Sequence, residues 1–201
     1  MPVVGVLWDV GNVIVRWDPA NLYSKIFQEP AARDRFLSSV CTLAWHIEHD
    51  RGVSFADNRR PLLAQYPQHA EAIEAWEHRF IEMIDGLIPE TVSAMHDLAA
   101  RDVPQFGLTN MPSTIWPQTT PLSPVFAYLK DTVVSGDEGL VKPDPAIFLL
   151  AARRAGLEPG QLLFVDDSAV NTAAAAALGF HVLTFTDPAT LRPTLESHGL
   201  L

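Results

Sequence analysis

The sequence is poor in residues that would tie it to several large classes of protein. Its 201 residues contain one cysteine, Cys41, so no intramolecular disulfide can form and nothing marks the chain for an oxidising compartment. Positive charge is scarce. Lys and Arg number 14 against 24 Asp and Glu, a formal net charge of −10, and an excess of that sign excludes electrostatically driven nucleic-acid binding. Long apolar runs are absent: the first, Val3–Trp8, ends at Asp9, and none approaches the roughly 18 residues of a membrane span. No basic region precedes that run, so it does not read as a signal peptide. The expected setting is the cytoplasm, with no membrane partner. What remains is a globular mixture, 48 % hydrophobic and 19 % charged, at odds with wholesale disorder.

Short apolar runs ending in loop signals recur along the chain. Val3–Trp8 leads into Asp9 and Gly11, Val103–Leu108 into Thr109-Asn110, Thr132–Val134 into Ser135-Gly136, Leu162–Val165 into Asp166-Asp167, and His181–Phe185 into Thr186-Asp187. Continuous runs of this kind fit strands buried on both faces of a parallel sheet. Helical periodicity separates them over 90–101, 144–155 and 169–178, the last ending at Gly179. The five alanines Ala173–Ala177 read as a tightly packed helix. Alternating strands and helices predict a doubly wound, Rossmann-like α/β fold. Between Asp18 and Asp85 the pattern changes. No strand-like run occurs, apolar residues recur every three or four positions (Phe36, Leu37, Val40; Ile73, Trp76, Phe80), and turn signals divide the segment into four or five short helices. The expected organisation is an α/β core of residues 1–17 and 86–201 with an all-helical cap, 18–85, inserted after the first strand.

Ligands of open α/β sheets bind beyond the carboxyl ends of the strands. There the sequence places Asp9, Thr109-Asn110, Asp166-Asp167 and, in a later loop, Lys142. Each taken singly has an ordinary explanation: a turn-forming Asp, a Thr-Asn turn, a solvated loop lysine. The acid pair is harder to explain, because adjacent carboxylates repel and call for a cation. Together, an acid, a hydroxyl, a lysine and an acid pair at successive strand ends fit the binding of Mg²⁺ and a phosphoryl group.

Trp8-Asp9-Val10-Gly11-Asn12-Val13, Leu108-Thr109-Asn110, Val141-Lys142-Pro143 and Phe164-Val165-Asp166-Asp167-Ser168 resemble, in order, the four motifs of the haloacid dehalogenase (HAD) superfamily, and the helical insertion resembles its small cap. The Asp-x-Gly-Asn-Val opening and Ile115-Trp116-Pro117 are similar to the branch containing bacterial α-glucose-1-phosphate phosphatases. The resemblance implies a Mg²⁺-dependent phosphatase acting on a small phosphorylated metabolite. Asp9 would be the nucleophile, passing through an aspartyl-phosphate. Asp9, the Gly11 carbonyl, Asp167 and, next in rank, Asp166 would hold the metal. Thr109, Asn110 and Asn12 would face the phosphoryl oxygens, and Lys142 would neutralise charge.

One position departs from the pattern. Family phosphatases carry a second Asp two residues after the nucleophile, as general acid and base; here it is Gly11. Either a cap residue supplies the proton, or the substrate has an easy leaving group, or the chain is not a phosphatase. The related branch shares this glycine and is hydrolytic. Trp45–Gly52 offers cap candidates: His46 and His49, three apart on one helical face, and Arg51, whose turn would aim a cation at the core. Two other readings are a metal-independent 2-haloacid dehalogenase and a non-catalytic metabolite-binding protein. Two carboxylates at Asp166-Asp167 would repel the dehalogenase's carboxylate substrate. The oligomeric state is open between monomer and homodimer.

Overall fold

The computed structural model describes all 201 residues. Five parallel strands form the main sheet: β1 (Gly5–Trp8), β4 (Gln105–Thr109), β5 (Leu129–Val134), β6 (Leu162–Asp166) and β7 (His181–Thr184), in the order β5-β4-β1-β6-β7. The chain steps outward from β1 through β4 to β5, then returns to the other side of β1 for β6 and β7. Strand order therefore reverses at β1, the switch point where open α/β sheets bind ligands. Every residue of β1, β4 and β6 is buried, as both-face-covered parallel strands require. Alternate residues feed two apolar layers: Val6, Trp8, Leu163 and Val165 on one face, Leu7, Leu108 and Phe164 on the other.

Several of the 16 prolines serve as helix starts. Pro19, Pro30, Pro89 and Pro145 each open a helix, where a missing N–H costs nothing. The segment expected to be a cap folds as α1 (Pro19–Ile26), α2 (Pro30–Ser39), α3 (Leu43–Asp50), α4 (Phe55–Gln65) and α5 (Ala70–His78). Asp18, Thr42 and Ser54 side chains cap α1, α3 and α4 by accepting from backbone N–H groups. Helices α6 (Pro89–Ala100), α9 (Pro145–Ala155), α10 (Ala169–Ala177) and α11 (Leu191–Ser197) cover the sheet, with single-turn α7 (Trp116–Thr119) and α8 (Ser135–Glu138) in the loops after β4 and β5. One apolar cluster runs without a break from Val6 and Trp8 of the sheet to Leu22, Phe36 and Trp76 of the helical segment.

Two expectations need correction. A second sheet exists: β2 (Val15–Trp17) pairs antiparallel with β3 (Ile84–Leu87), joining the two ends of the helical insertion. Strands of three and four residues, partly exposed and carrying Gly86, are too short to register as periodicity. The alanine run is also less enclosed than its composition suggested. Of Ala173–Ala177 only Ala175 is fully buried, so most of the run supplies helix propensity on an outward face.

Candidate active site

A cavity of about 370 Å³ opens at the carboxyl edge of β1, between the main sheet and α3. Asp9 follows β1, its backbone N–H donating to Val165 of the neighbouring strand and its Oδ1 accepting from Val10 N at 2.7 Å. Asn12 then adopts a left-handed conformation, φ 55°, and its Oδ1 accepts from Trp17 N. That turn sends the chain into β2 and exposes the Gly11 region to the cavity. An Asn tolerates this backbone better than most residues because its short amide bonds locally.

Lys142 is the electrostatic centre. Its side chain is 1 % exposed, and Nζ lies 2.8 Å from Asp9 Oδ1, 2.7 Å from Asp166 Oδ2 and 3.2 Å from the Leu108 carbonyl. An ammonium has three hydrogens, and these three acceptors use them all. Burial pulls the Lys142 pKa down, but the charges of Asp9 and Asp166 outweigh it and hold the group protonated. Asn110 fixes the loop: its side-chain amide donates to the Lys142 carbonyl while its Oδ1 accepts from Lys142 N. Asp166 is saturated on both oxygens by Lys142, Asn171 and the Ser168 N–H. Asp167 is exposed to the cavity, its pKa raised by burial and by Asp166.

Oxygens of Asp9, Asp166 and Asp167 lie within 4.8 Å of one another. Fully ionised, three carboxylates against one ammonium would leave two negative charges at one point, and without a cation burial, with the Asp166 charge, pushes the Asp9 carboxyl up while Lys142 opposes it. A cluster of hard oxygen donors with that deficit fits a small divalent cation. The same deficit is hostile to any anion approaching without one.

Of the residues singled out from the sequence, Asp9, Gly11, Asn12, His46, Thr109, Asn110, Lys142 and Asp167 line this one cavity. Asp166 stands behind the wall, within reach of the acid cluster. Arg51 does not join them. Its guanidinium turns outward to Glu48, 3.1 Å away, and is half exposed, because the helix end offers a solvated carboxylate three residues back. His49 is also outside: it packs on Trp45 and Phe55 and meets Asn58, so the two histidines do not form a shared metal site. Trp116 packs edge-on against Phe126. Sequence reasoning missed Trp17 and Asp50, both in the cavity wall. Asp50 stands four residues after His46 on a helix whose carboxyl end disfavours an anion, and that is the signal which marks it.

A family model for haloacid dehalogenase-like hydrolases matches residues 3–179. The chain belongs to that family. It is 30 % identical over 154 residues, 75 % of this chain and 64 % of the relative, to a phosphoglycolate phosphatase of Yersinia pseudotuberculosis. The chain spans less than two thirds of the length of the curated relatives it matches. Among solved structures, a HAD family enzyme of Bacteroides thetaiotaomicron in complex with magnesium and inorganic phosphate superposes with a TM-score of 0.68 at 20 % identity, covering 94 % of this chain and 98 % of that one. A dehalogenase superposes equally well, with a TM-score of 0.69 at 15 % identity over 96 % and 97 % of the two chains. The fold alone does not separate these chemistries.

Proposed function

We propose that this hydrolase is a Mg²⁺-dependent phosphomonoesterase acting on a small phosphorylated metabolite, with residues 18–85 as its cap. The observation that carries the reading is the acid cluster around a saturated lysine, which suits a cation-assisted phosphoryl site and would repel the carboxylate of a haloacid. Asp9, the Gly11 carbonyl and Asp167 would hold Mg²⁺, with Asp166 fixing Lys142 beside them. When bound, the ion would neutralise charge on the phosphoryl oxygens. Asp9 would attack phosphorus and carry the phosphoryl group as an aspartyl-phosphate until water releases it. Lys142 and the bound ion together would favour the ionised form of Asp9, Lys142 would orient it, and Thr109 and the Asn110 amide would donate to the equatorial oxygens. Asn12 would hold the loop shape through its side-chain carbonyl, which accepts from Trp17 N, and its side-chain NH2 would be left to face a phosphoryl oxygen. We place the enzyme in the cytoplasm, in keeping with its single unpaired cysteine.

The rest of the cavity defines a class of leaving group. Lys142 is its one Lys or Arg, and on the cap side Val15, Trp17, Leu43, Ile47, Phe80 and Ile84 line it together with His46 and Asp50. A substrate with a second anionic group would find no partner there, so the organic part is neutral. A sugar 1-phosphate, as the resemblance to α-glucose-1-phosphate phosphatases implies, meets that condition. Phosphate release from p-nitrophenyl phosphate and a panel of sugar, alkyl and carboxylate-bearing phosphates, in Mg²⁺ and in EDTA, tests both statements. Mg²⁺-dependent turnover favouring neutral esters over phosphoglycolate is expected. No phosphate from any of them, with chloride release from 2-chloropropionate without metal, would overturn the reading in favour of a dehalogenase.

A further inference from the structure

Cleaving an alkyl phosphate requires a proton for the departing oxygen, because an alkoxide is a poor leaving group at neutral pH. The titratable groups lining the cavity are Asp9, Asp167, Lys142, His46 and Asp50. Asp9 is committed as nucleophile, Asp167 belongs to the cation cluster, and Lys142 has no free hydrogen. His46 is buried, and its Nδ1 accepts from Trp76 Nε1 at 3.2 Å. Indole is a donor only, so the neutral ring carries its proton on Nε2, which stands 3.5 Å from Asp50 Oδ1, and burial, with His49 adding to it, lowers the His46 pKa to about 3. A ring held neutral in this way has no acidic proton to give.

Asp50 is different. It ends α3, only 4 % exposed, and its Oδ1 is buried without a hydrogen-bond partner, the approach of His46 being too poorly aligned to make one. Neither Lys nor Arg pairs with it. Of the charges that face it from the core, Lys142 favours the anion and Asp9 opposes it. A buried, unpaired carboxyl at a helix carboxyl end is an expensive arrangement for stability alone, and such groups concentrate where chemistry is done. The next turn fixes its position: a Cβ on Gly52 would come within 2.9 Å of the Gly136 carbonyl, so the end of α3 sits directly on the loop after β5. Two residues after the nucleophile stands Gly11, which carries no side chain, and a Cβ built there would meet open space.

Resting on the phosphatase reading, we infer that Asp50 is the acid–base residue of this site. As Asp9 attacks and the P–O bond breaks, the protonated Asp50 carboxyl gives its hydrogen to the leaving oxygen, releasing an alcohol and leaving a carboxylate. That carboxylate then takes a proton from the water that attacks the aspartyl-phosphate, so phosphate departs, Asp9 is regenerated and Asp50 regains its hydrogen. Burial supports the starting state, raising the Asp50 pKa to about 8, and His46 acts as a positioning residue that faces one oxygen of the carboxyl.

The test compares kcat/KM of wild type and Asp50→Asn, with Mg²⁺, on an alkyl phosphate and on p-nitrophenyl phosphate. Loss of a general acid lowers rates by ~10²–10⁴-fold where the leaving group needs it. That loss is expected on the alkyl ester, with less than about tenfold on p-nitrophenyl phosphate, whose leaving group departs unaided. The variant should also release an initial burst of p-nitrophenol, because the water step has lost its base. Asp50→Asn with Gly11→Asp is expected to recover part of the alkyl activity. Equal losses on both esters, or none on either, would overturn the assignment while leaving the phosphatase reading standing. Absence of wild-type activity on both would remove that reading and this one with it.

Discussion

Asp9, Asp166 and Lys142 form a unit in which each charge depends on the others. Removing Lys142 would leave two buried carboxylates uncompensated, so Lys142→Met is expected to cost about 3–5 kcal/mol in a denaturant titration and to abolish turnover. Arg51→Ala removes only an exposed pair with Glu48, worth ~0–1 kcal/mol, and is expected to leave both stability and phosphate release close to wild type. Asp50 gives a pH signature. Burial raises its folded pKa to about 8, above the 3.8 of an ordinary aspartate, so the folded state binds the extra proton. The stability this contributes is complete below about pH 4 and is lost as pH rises through about 8. In Mg²⁺-free buffer, the unfolding free energy of Asp50→Asn relative to wild type, from denaturant titrations, should therefore climb from pH 5 to pH 9 by on the order of 2 kcal/mol or more; a flat difference would contradict a buried, unpaired carboxyl. At this scale the sequence was informative for side chains on loops after strands, as with Asp9, Thr109 and Lys142, which meet in one cavity. It was least informative in α3, where facing the cavity or facing solvent is a matter of rotation about the helix. One step of that rotation separates Asp50, which is buried, from Arg51, which is not.

Among the elements, the long apolar strands and proline-started helices were legible because burial on both faces and fixed φ leave strong local marks. β2 and β3 were not, since their pairing depends on the tertiary approach of residues 15–17 and 84–87. The contact that matters most for the site is likewise non-local. Gly52, at φ +91°, has no room for a side chain against the Gly136 carbonyl. Gly52→Ala adds backbone strain to a clash and should cost about 1–3 kcal/mol. By lifting the end of α3 it should also reduce kcat on alkyl phosphates more than on p-nitrophenyl phosphate. Wild-type kinetics in this variant would mean that α3 does not depend on that contact for its position.

For the whole molecule, charge and architecture converge on one edge of the sheet. The chain carries −10 overall yet gathers a lysine, three acids and a threonine where strand order reverses. Family membership was legible as an ordered set of motifs spread over residues 8–168, none of which is decisive alone. The cavity wall opposite the sheet, largely apolar and without lysine or arginine, was not, because it is assembled from β2, α3, Phe80 and β3 together. The most direct measurement is phosphate release by wild type and Asp9→Asn, side by side, at saturating Mg²⁺ with a neutral phosphate ester. Removing one member of a covalent catalytic unit is expected to depress turnover by at least ~10³-fold, while the variant keeps a melting temperature no lower than wild type because one buried negative charge has gone. Turnover within about tenfold of wild type would mean that Asp9 is not the nucleophile and that the acid cluster serves some other chemistry.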